Sequence, residues 1–279
     1  MNTERNKAML ASLEIFRIKL LNSELTYFDL PADKKDVQHY YRRFDFQLPT
    51  SSKMFHPLHS LVKESHEHKI PYYISKDEYL YTWVDLQSNG MVKNIYSGVE
   101  NSPSDLVNKD LEVRMRQDLQ SAEVVPEDLK FNAEHAVPQS WFGGREPMKG
   151  DLHHLFACEP TCNAARSNFA YHDFVNYTPE SSSEKIQNQC GVAFAELFEP
   201  EFGKGTIARA VFYFILRYPY EIRKPFKRKV NFKLLRNWNR QFPPSMYEKH
   251  RNQAIFHIQG NRNPFIDFPN LADKLYFPL

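Results

Sequence analysis

A carboxylate at Glu134, an imidazole at His135, an amide at Asn163 and a guanidinium at Arg166 stand close together in the chain. Carboxylate and amide oxygens are hard ligands, suited to Mg²⁺ that retains several waters and unsuited to zinc. Histidine, with an ordinary pKa of about 6.5, is neutral near physiological pH and able to accept a proton from water. The planar guanidinium fork matches phosphate oxygens. Together these groups describe metal-assisted hydrolysis of a phosphodiester.

Local sequence has to bring them together. Glu134-His135-Ala136-Val137 ahead of Pro138 reads as a short strand, whose adjacent side chains point to opposite faces. Glu134 and His135 therefore share a site only if a metal or a bulge turns them toward each other. Trp141-Phe142-Gly143-Gly144 has the glycines for a chain reversal, and residues 151–156 read as a returning strand, making a hairpin with a long loop. Pro160 suits a first helical position, and helix formers follow it through Arg166. Asn163 and Arg166, three residues apart, share a helix face that can look back at the first strand. In a regular second strand His153 and His154 face opposite ways, so one supports the site and the other packs.

This strand, strand, helix segment, about residues 131–170, resembles the ββα-metal (His-Me finger) motif of the bacterial endonuclease I family of non-specific nucleases. Upstream, Leu58-His59-Ser60-Leu61 through His66 and the Asn94-Ile95-Tyr96-Ser97-Gly98 block are similar to the family's leading region. Downstream, Phe198-Glu199-Pro200, residues 205–210, 248–252 and 259–265 resemble its later blocks. The resemblance runs in order over roughly residues 55–270. It implies that His135 is the general base and that Glu134 and Asn163 hold a single Mg²⁺, for which Mn²⁺ or Ca²⁺ substitutes. It further implies 5′-phosphorylated products, and Arg166 beside the site in contact with phosphate. Family members often carry a second active-site arginine between the strands, and Arg145 is the candidate here.

The implied fold is mixed α+β, mostly helical with a small sheet and the ββα segment embedded in it. Residues 1–54 form a helical extension and 55–279 the nuclease domain. Ile207–Leu216 is apolar enough for a buried helix, and Asn261-Arg262-Asn263-Pro264 reads as a polar turn. Abundant aromatic residues, 14% of the chain, supply a sizeable core.

A net charge of only +2 over 279 residues excludes global charge as the handle on nucleic acid, so distribution matters. The clearest basic stretch runs from Arg217 to Arg240. Its Arg223, Lys224, Lys227, Arg228 and Lys229 are the candidate nucleic-acid contacts, with Tyr218, Tyr220, Phe226 and Trp238 interleaved for stacking or for the core. DNA is the expected substrate, with RNA left open because such a site reads mainly phosphate.

Met9, Leu13, Phe16 and Leu20 recur at helical spacing, which argues an amphipathic helix covering a groove or a partner, and an inhibitor or regulatory partner is expected there. Charges interrupt each apolar run near Met1, and no stretch is long and apolar enough to span a membrane. As written the chain reads as cytoplasmic, or as secreted if a signal has been removed from it. Three cysteines make no disulfide framework; one bridge, or a zinc site from Cys158, Cys162, Cys190 and His153 or His172, are the alternatives. Against the nuclease stands a catalytically silent binding module on the same fold.

Overall fold

The computed structural model describes residues 11, 14–15, 18–22, 25–47, 51–106, 108, 132–177 and 190–279. Of the expected N-terminal helical stripe, Met9, Leu13 and Phe16 lie outside these residues, and Leu20 is buried.

About half of the described residues are helical, and the strands are short, as a mixed α+β fold requires. Helices α1 (Leu30–Tyr40) and α2 (Ser51–Glu64) precede a π-helical segment, Ser75–Val84, and a two-stranded ribbon of β1 (Val92–Lys93) and β2 (Glu100–Asn101). Next come β3 (Asn132–His135), α3 (Gln139–Phe142), β4 (Leu155–Cys158) and α4 (Pro160–Arg166). A three-stranded sheet follows, in the order β5 (Ala170–Tyr171), β7 (Leu197–Pro200), β6 (Gly191–Phe194), with β5 parallel to β7 and β6 antiparallel to it. The C-terminal third is helical: α5 (Lys204–Arg217), α6 (Lys224–Lys227), α7 (Phe232–Gln241), α8 (Met246–Gln259), α9 (Pro264–Asp267) and α10 (Leu271–Lys274).

Helix α5 is the central beam. Its sequence is apolar nearly all round, and Phe212, Tyr213, Phe214 and Leu216 are fully buried. Each such side chain contributes about 1.5–3 kcal/mol by leaving water. Its two arginines end in buried polar partners: Arg209 grips Glu248 through Nε and Nη2, both at 2.7 Å, and Arg217 Nε reaches His66 at 3.3 Å. Helix α8 begins with a capping box between Ser245 and Glu248, so one carboxylate both caps the helix and pairs with the beam.

Strands β3 and β4 pair antiparallel with Glu134 opposite Phe156 and His135 opposite Leu155. The returning strand starts later than its sequence suggests. Leu152–His154 forms a 3₁₀ turn, because the Asp151 carboxylate accepts the His153 N–H at 3.0 Å and is itself drawn inward by Tyr213 and Tyr218, whose hydroxyls donate to it at 2.8 Å. The polar turn at 261–264 is as expected: Asn263 caps α9 by accepting from Phe265 N, and Arg262 pairs with Asp267 and Asp33. The second of those pairs fastens α1 to the body, as do Tyr41 Oη to Asp267 and Gln253 to Asp29.

Candidate active site

The end of β3 and the start of α4 border an open cleft of about 350 Å³, lined by Glu134, His135, Pro138, Gln139, Ser140, Asn163, Ser167 and Asn168 among others. Strand alternation holds, with Glu134 turned toward Tyr96 and Arg166 and His135 toward Lys149 and His154. Both nevertheless meet the cleft, because the strand ends at His135 and the chain turns away at Pro138. A larger hollow of about 890 Å³, bordered by Tyr27, Phe202, Arg209 and Tyr247, contains none of the expected catalytic residues.

His135 is buried, and its Nε2 lies 2.7 Å from the Lys149 carbonyl. A carbonyl only accepts, so Nε2 carries the hydrogen and Nδ1 keeps its lone pair. Gln139 Nε2 is the neighbour of that Nδ1, at 3.4 Å. Burial, with a smaller push from His154, lowers the His135 pKa to about 3, so the ring is neutral at physiological pH. An imidazolium formed there would have to discharge its proton promptly.

Glu134 is the carboxylate of the cleft. Burial raises its pKa to about 7, against the pull of the Arg166 guanidinium and the Tyr96 hydroxyl. Tyr96 Oη donates to Oε1 at 2.7 Å and Arg166 Nε stands 3.1 Å from the same atom. Asn163 enters the cleft from α4, which Pro160 opens at its first turn as the sequence implies.

Arg166 is placed otherwise than expected. It is fully buried and does not border the cleft; beside its ion pair with Glu134 its donors go to the Tyr96 hydroxyl and to the Ser167, Phe169 and Ala136 carbonyls, and its plane covers the Tyr171 ring at 4.5 Å. A guanidinium so committed holds the site's carboxylate in place and has no face for phosphate. Arg145 is at the surface, its side chain 59% exposed and paired with Glu221 at 2.5 Å. His154 packs 5.3 Å from the His135 ring and donates from Nε2 to the Met148 carbonyl, whereas His153 sits on Tyr213 and contacts the Asn261 carbonyl. Burial lowers the His153 pKa to about 4 and also depresses that of His154.

The basic stretch comes up against the loop that follows β3. Arg223 N donates to the Trp141 carbonyl, the Arg223 guanidinium covers the left-handed Gly143 where a Cβ would collide with it, and Phe226 stacks on Trp141 at 5.7 Å. Arg223, Lys224 and Arg228 are exposed, Lys227 is half-buried, and Lys229 pairs with Glu196. Of the interleaved aromatics, Tyr218 and Trp238 are core and Tyr220 is exposed.

Cys162 and Cys190 form a disulfide and Cys158 is buried and free. The bridge consumes two of the thiols that the zinc alternative needs, and no cluster of three metal-ligating His, Cys, Asp or Glu side chains occurs among the described residues. Sequence reasoning assigned no role to Tyr96, Tyr171 or Gln139. Tyr96 was within reach of it, since the Asn94–Gly98 block already belonged to the resemblance.

Residues 54–270 match the family model for Endonuclease I. Among curated proteins the chain is 32% identical over 164 residues to an extracellular ribonuclease of Bacillus amyloliquefaciens, covering 52% of this chain and 54% of that protein. It is 35% identical over 155 residues to an extracellular deoxyribonuclease of Aeromonas hydrophila (48% and 64%), and 34% identical over 155 residues to a periplasmic deoxyribonuclease of the same organism (48% and 62%). The matched segments thus span between half and two thirds of these relatives. Two are extracellular and one periplasmic, which overturns the expectation of a cytoplasmic chain. The Cys162–Cys190 bridge agrees with that correction, because such bonds persist in oxidising compartments.

Proposed function

The chain belongs to the endonuclease I family, and from that premise we propose that it is a Mg²⁺-dependent, largely sequence-non-specific endonuclease that hydrolyses phosphodiesters to leave 5′-phosphate ends. We read β3, β4 and α4 as its ββα-metal motif. The observation that carries the proposal is the convergence of Glu134, Asn163 and a neutral His135 on one cleft. Relatives named for DNA and for RNA keep both substrates in view.

The donor set fits Mg²⁺. One carboxylate and one amide oxygen are hard donors on a cation that prefers six oxygens and surrenders its waters reluctantly, so most positions stay open for water and phosphate. With Oε1 of Glu134 held by Tyr96 and Arg166, Oε2 is the oxygen with capacity for a cation. Once bound, the ion would act as a Lewis acid, stabilising charge on the phosphate and on the leaving 3′ oxygen.

The protein's own residues supply the rest. His135 takes the proton of the attacking water at Nδ1, while the Lys149 carbonyl fixes the tautomer through Nε2. The Gln139 amide N–H lies 3.4 Å from that nitrogen as a weak donor to its lone pair and gives way to the water that replaces it. Arg166 positions Glu134. Arg223, Lys224, Lys227 and Arg228 lie beside the loop leading away from the cleft and bind backbone phosphates without reading bases. Arg145, on the surface, is the remaining candidate for a second phosphate arginine. Like its relatives, the protein acts outside the cytoplasm.

The test is cleavage of supercoiled plasmid, linear DNA and structured RNA with Mg²⁺ or EDTA, with His135→Ala alongside. Metal-dependent loss of substrate by the wild type alone is the expected result. Intact substrates under both Mg²⁺ and Mn²⁺ would leave the silent binding module as the better reading, although a retired site has no physical need for Glu134, His135 and Asn163 together.

A further inference from the structure

We propose that Tyr96 is a positioning residue for the cation: its phenol pins one oxygen of Glu134 so that the other faces the cleft. The inference rests on the reading of Glu134 as a ligand and adds to it the device that orients the ligand.

Tyr96 is fully buried, and its hydroxyl makes three polar contacts, to Glu134 Oε1 at 2.7 Å, Tyr171 Oη at 2.9 Å and Arg166 Nε at 3.2 Å, while the Tyr171 hydroxyl donates to the Ala136 carbonyl at 3.0 Å. The hydrogens can be counted. Each phenol has one, and a carbonyl can only accept. The single Tyr171 hydrogen goes to the Ala136 carbonyl, Arg166 Nε is a permanent donor to Tyr96 Oη and the carboxylate accepts, so the hydrogen of Tyr96 is the one given to Glu134 Oε1. Glu134 Oε1 then receives the phenol hydrogen and lies 3.1 Å from the Arg166 Nε in an ion pair, and the two together hold the carboxyl group.

The phenol is itself held. Tyr96 N donates to Asn94 Oδ1 at 2.9 Å, and Asn94 Nδ2 donates to Oε2 of Glu159, the residue immediately before α4, at 2.9 Å. Its ring meets Phe198 edge-on at 5.0 Å. The helix that presents Asn163 and the phenol that orients Glu134 are therefore braced on each other, so the two ligands share one scaffold. Groups that hold a ligand from behind typically set metal affinity by 10–100-fold.

The experiment is calorimetric titration of Ca²⁺, with no nucleic acid present so that binding is read without turnover, into wild type, Tyr96→Phe and Glu134→Gln, with thermal melts on each. Glu134→Gln should lose the binding, and Tyr96→Phe should weaken it about 10-fold or more. The Mg²⁺ concentration for half-maximal cleavage should rise in step, so that the deficit shrinks at high Mg²⁺. A Tyr96→Phe dissociation constant equal to that of wild type, with Glu134→Gln inactive in binding, overturns the positioning role and leaves the function standing. Identical titrations of wild type and Glu134→Gln remove Glu134 as a ligand and take both readings with it. Should Tyr96→Phe melt early, Tyr171→Phe decides, since it deletes only the hydroxyl behind Tyr96. A smaller loss in the same direction supports the proposal, and no change sinks it.

Discussion

Arg166 Nε lies 3.1 Å from Glu134 Oε1 in a pair where both side chains are buried. An arginine that binds substrate must keep its fork available, and this one has spent it on a carboxylate and three carbonyls. Replacing it with methionine leaves a buried carboxylate without its cation, which costs about 3–5 kcal/mol. We expect Arg166→Met to lower the urea midpoint strongly. Lysine should not restore it, because a single ammonium cannot meet four acceptors in different directions. Unchanged stability with weakened DNA affinity would instead return Arg166 to phosphate.

His135→Ala should reduce cleavage by about 10²–10⁴-fold, the usual share of a positioned base. Ca²⁺ binding should persist, since His135 holds no cation in the proposed site. Parallel titration and gel assays separate the two functions. Loss of both in the mutant points to collapse of the cleft.

Acidification should destabilise the fold through its buried histidines. His153 has a folded pKa of about 4, below its unfolded value of about 6.5. Between those values the unfolded chain binds the proton and the folded one does not. The contribution is therefore fully present above about pH 6.5 and is lost as the pH falls toward 4. At ~1.4 kcal/mol per pKa unit it is on the order of 3 kcal/mol. Urea unfolding at pH 5 and pH 7.5 measures it, and His153→Gln should flatten the difference.

The Cys162–Cys190 bridge joins residues 28 apart and anchors α4 beside Asn163. Removing it with a double serine variant should cost roughly 3–4 kcal/mol by restoring the freedom of the unfolded loop. Chemical denaturation checks this, and a dithiothreitol-treated wild type should match the variant. Equal stability with and without the bridge would show that the native packing alone holds α4.

If the exposed cations at Arg223, Lys224 and Arg228 track phosphates, each one lost should reduce the slope of log affinity against log salt by about 0.9. Binding of His135→Ala to duplex DNA across 50–200 mM salt, in Ca²⁺, with and without the three alanine substitutions, measures the change. An unaltered slope would move the nucleic-acid path elsewhere on the surface.

How much of this was legible beforehand differs by residue. Glu134, His135 and Asn163 stood out by residue type and do border one cleft, and Pro160 announced the start of α4, because ligand hardness, imidazole basicity and the missing N–H of proline are properties of single residues. The apolar run in α5 likewise declared its own burial. Local pattern went astray at residues 152–154, where an aspartate cap and two tyrosines from α5 and its end turned an apparent strand into a 3₁₀ turn.

Composition and order along the chain by themselves determined the chemical inventory of the cleft and the kind of elements that carry it. Tertiary structure alone decided that Arg166 faces inward, that Cys162 finds Cys190, and that a phenol 38 residues upstream steadies Glu134. The physical reason is range. Helix and strand preferences act over a few neighbouring residues, whereas desolvation and the pairing of buried charges depend on which distant segments the packed core brings into contact.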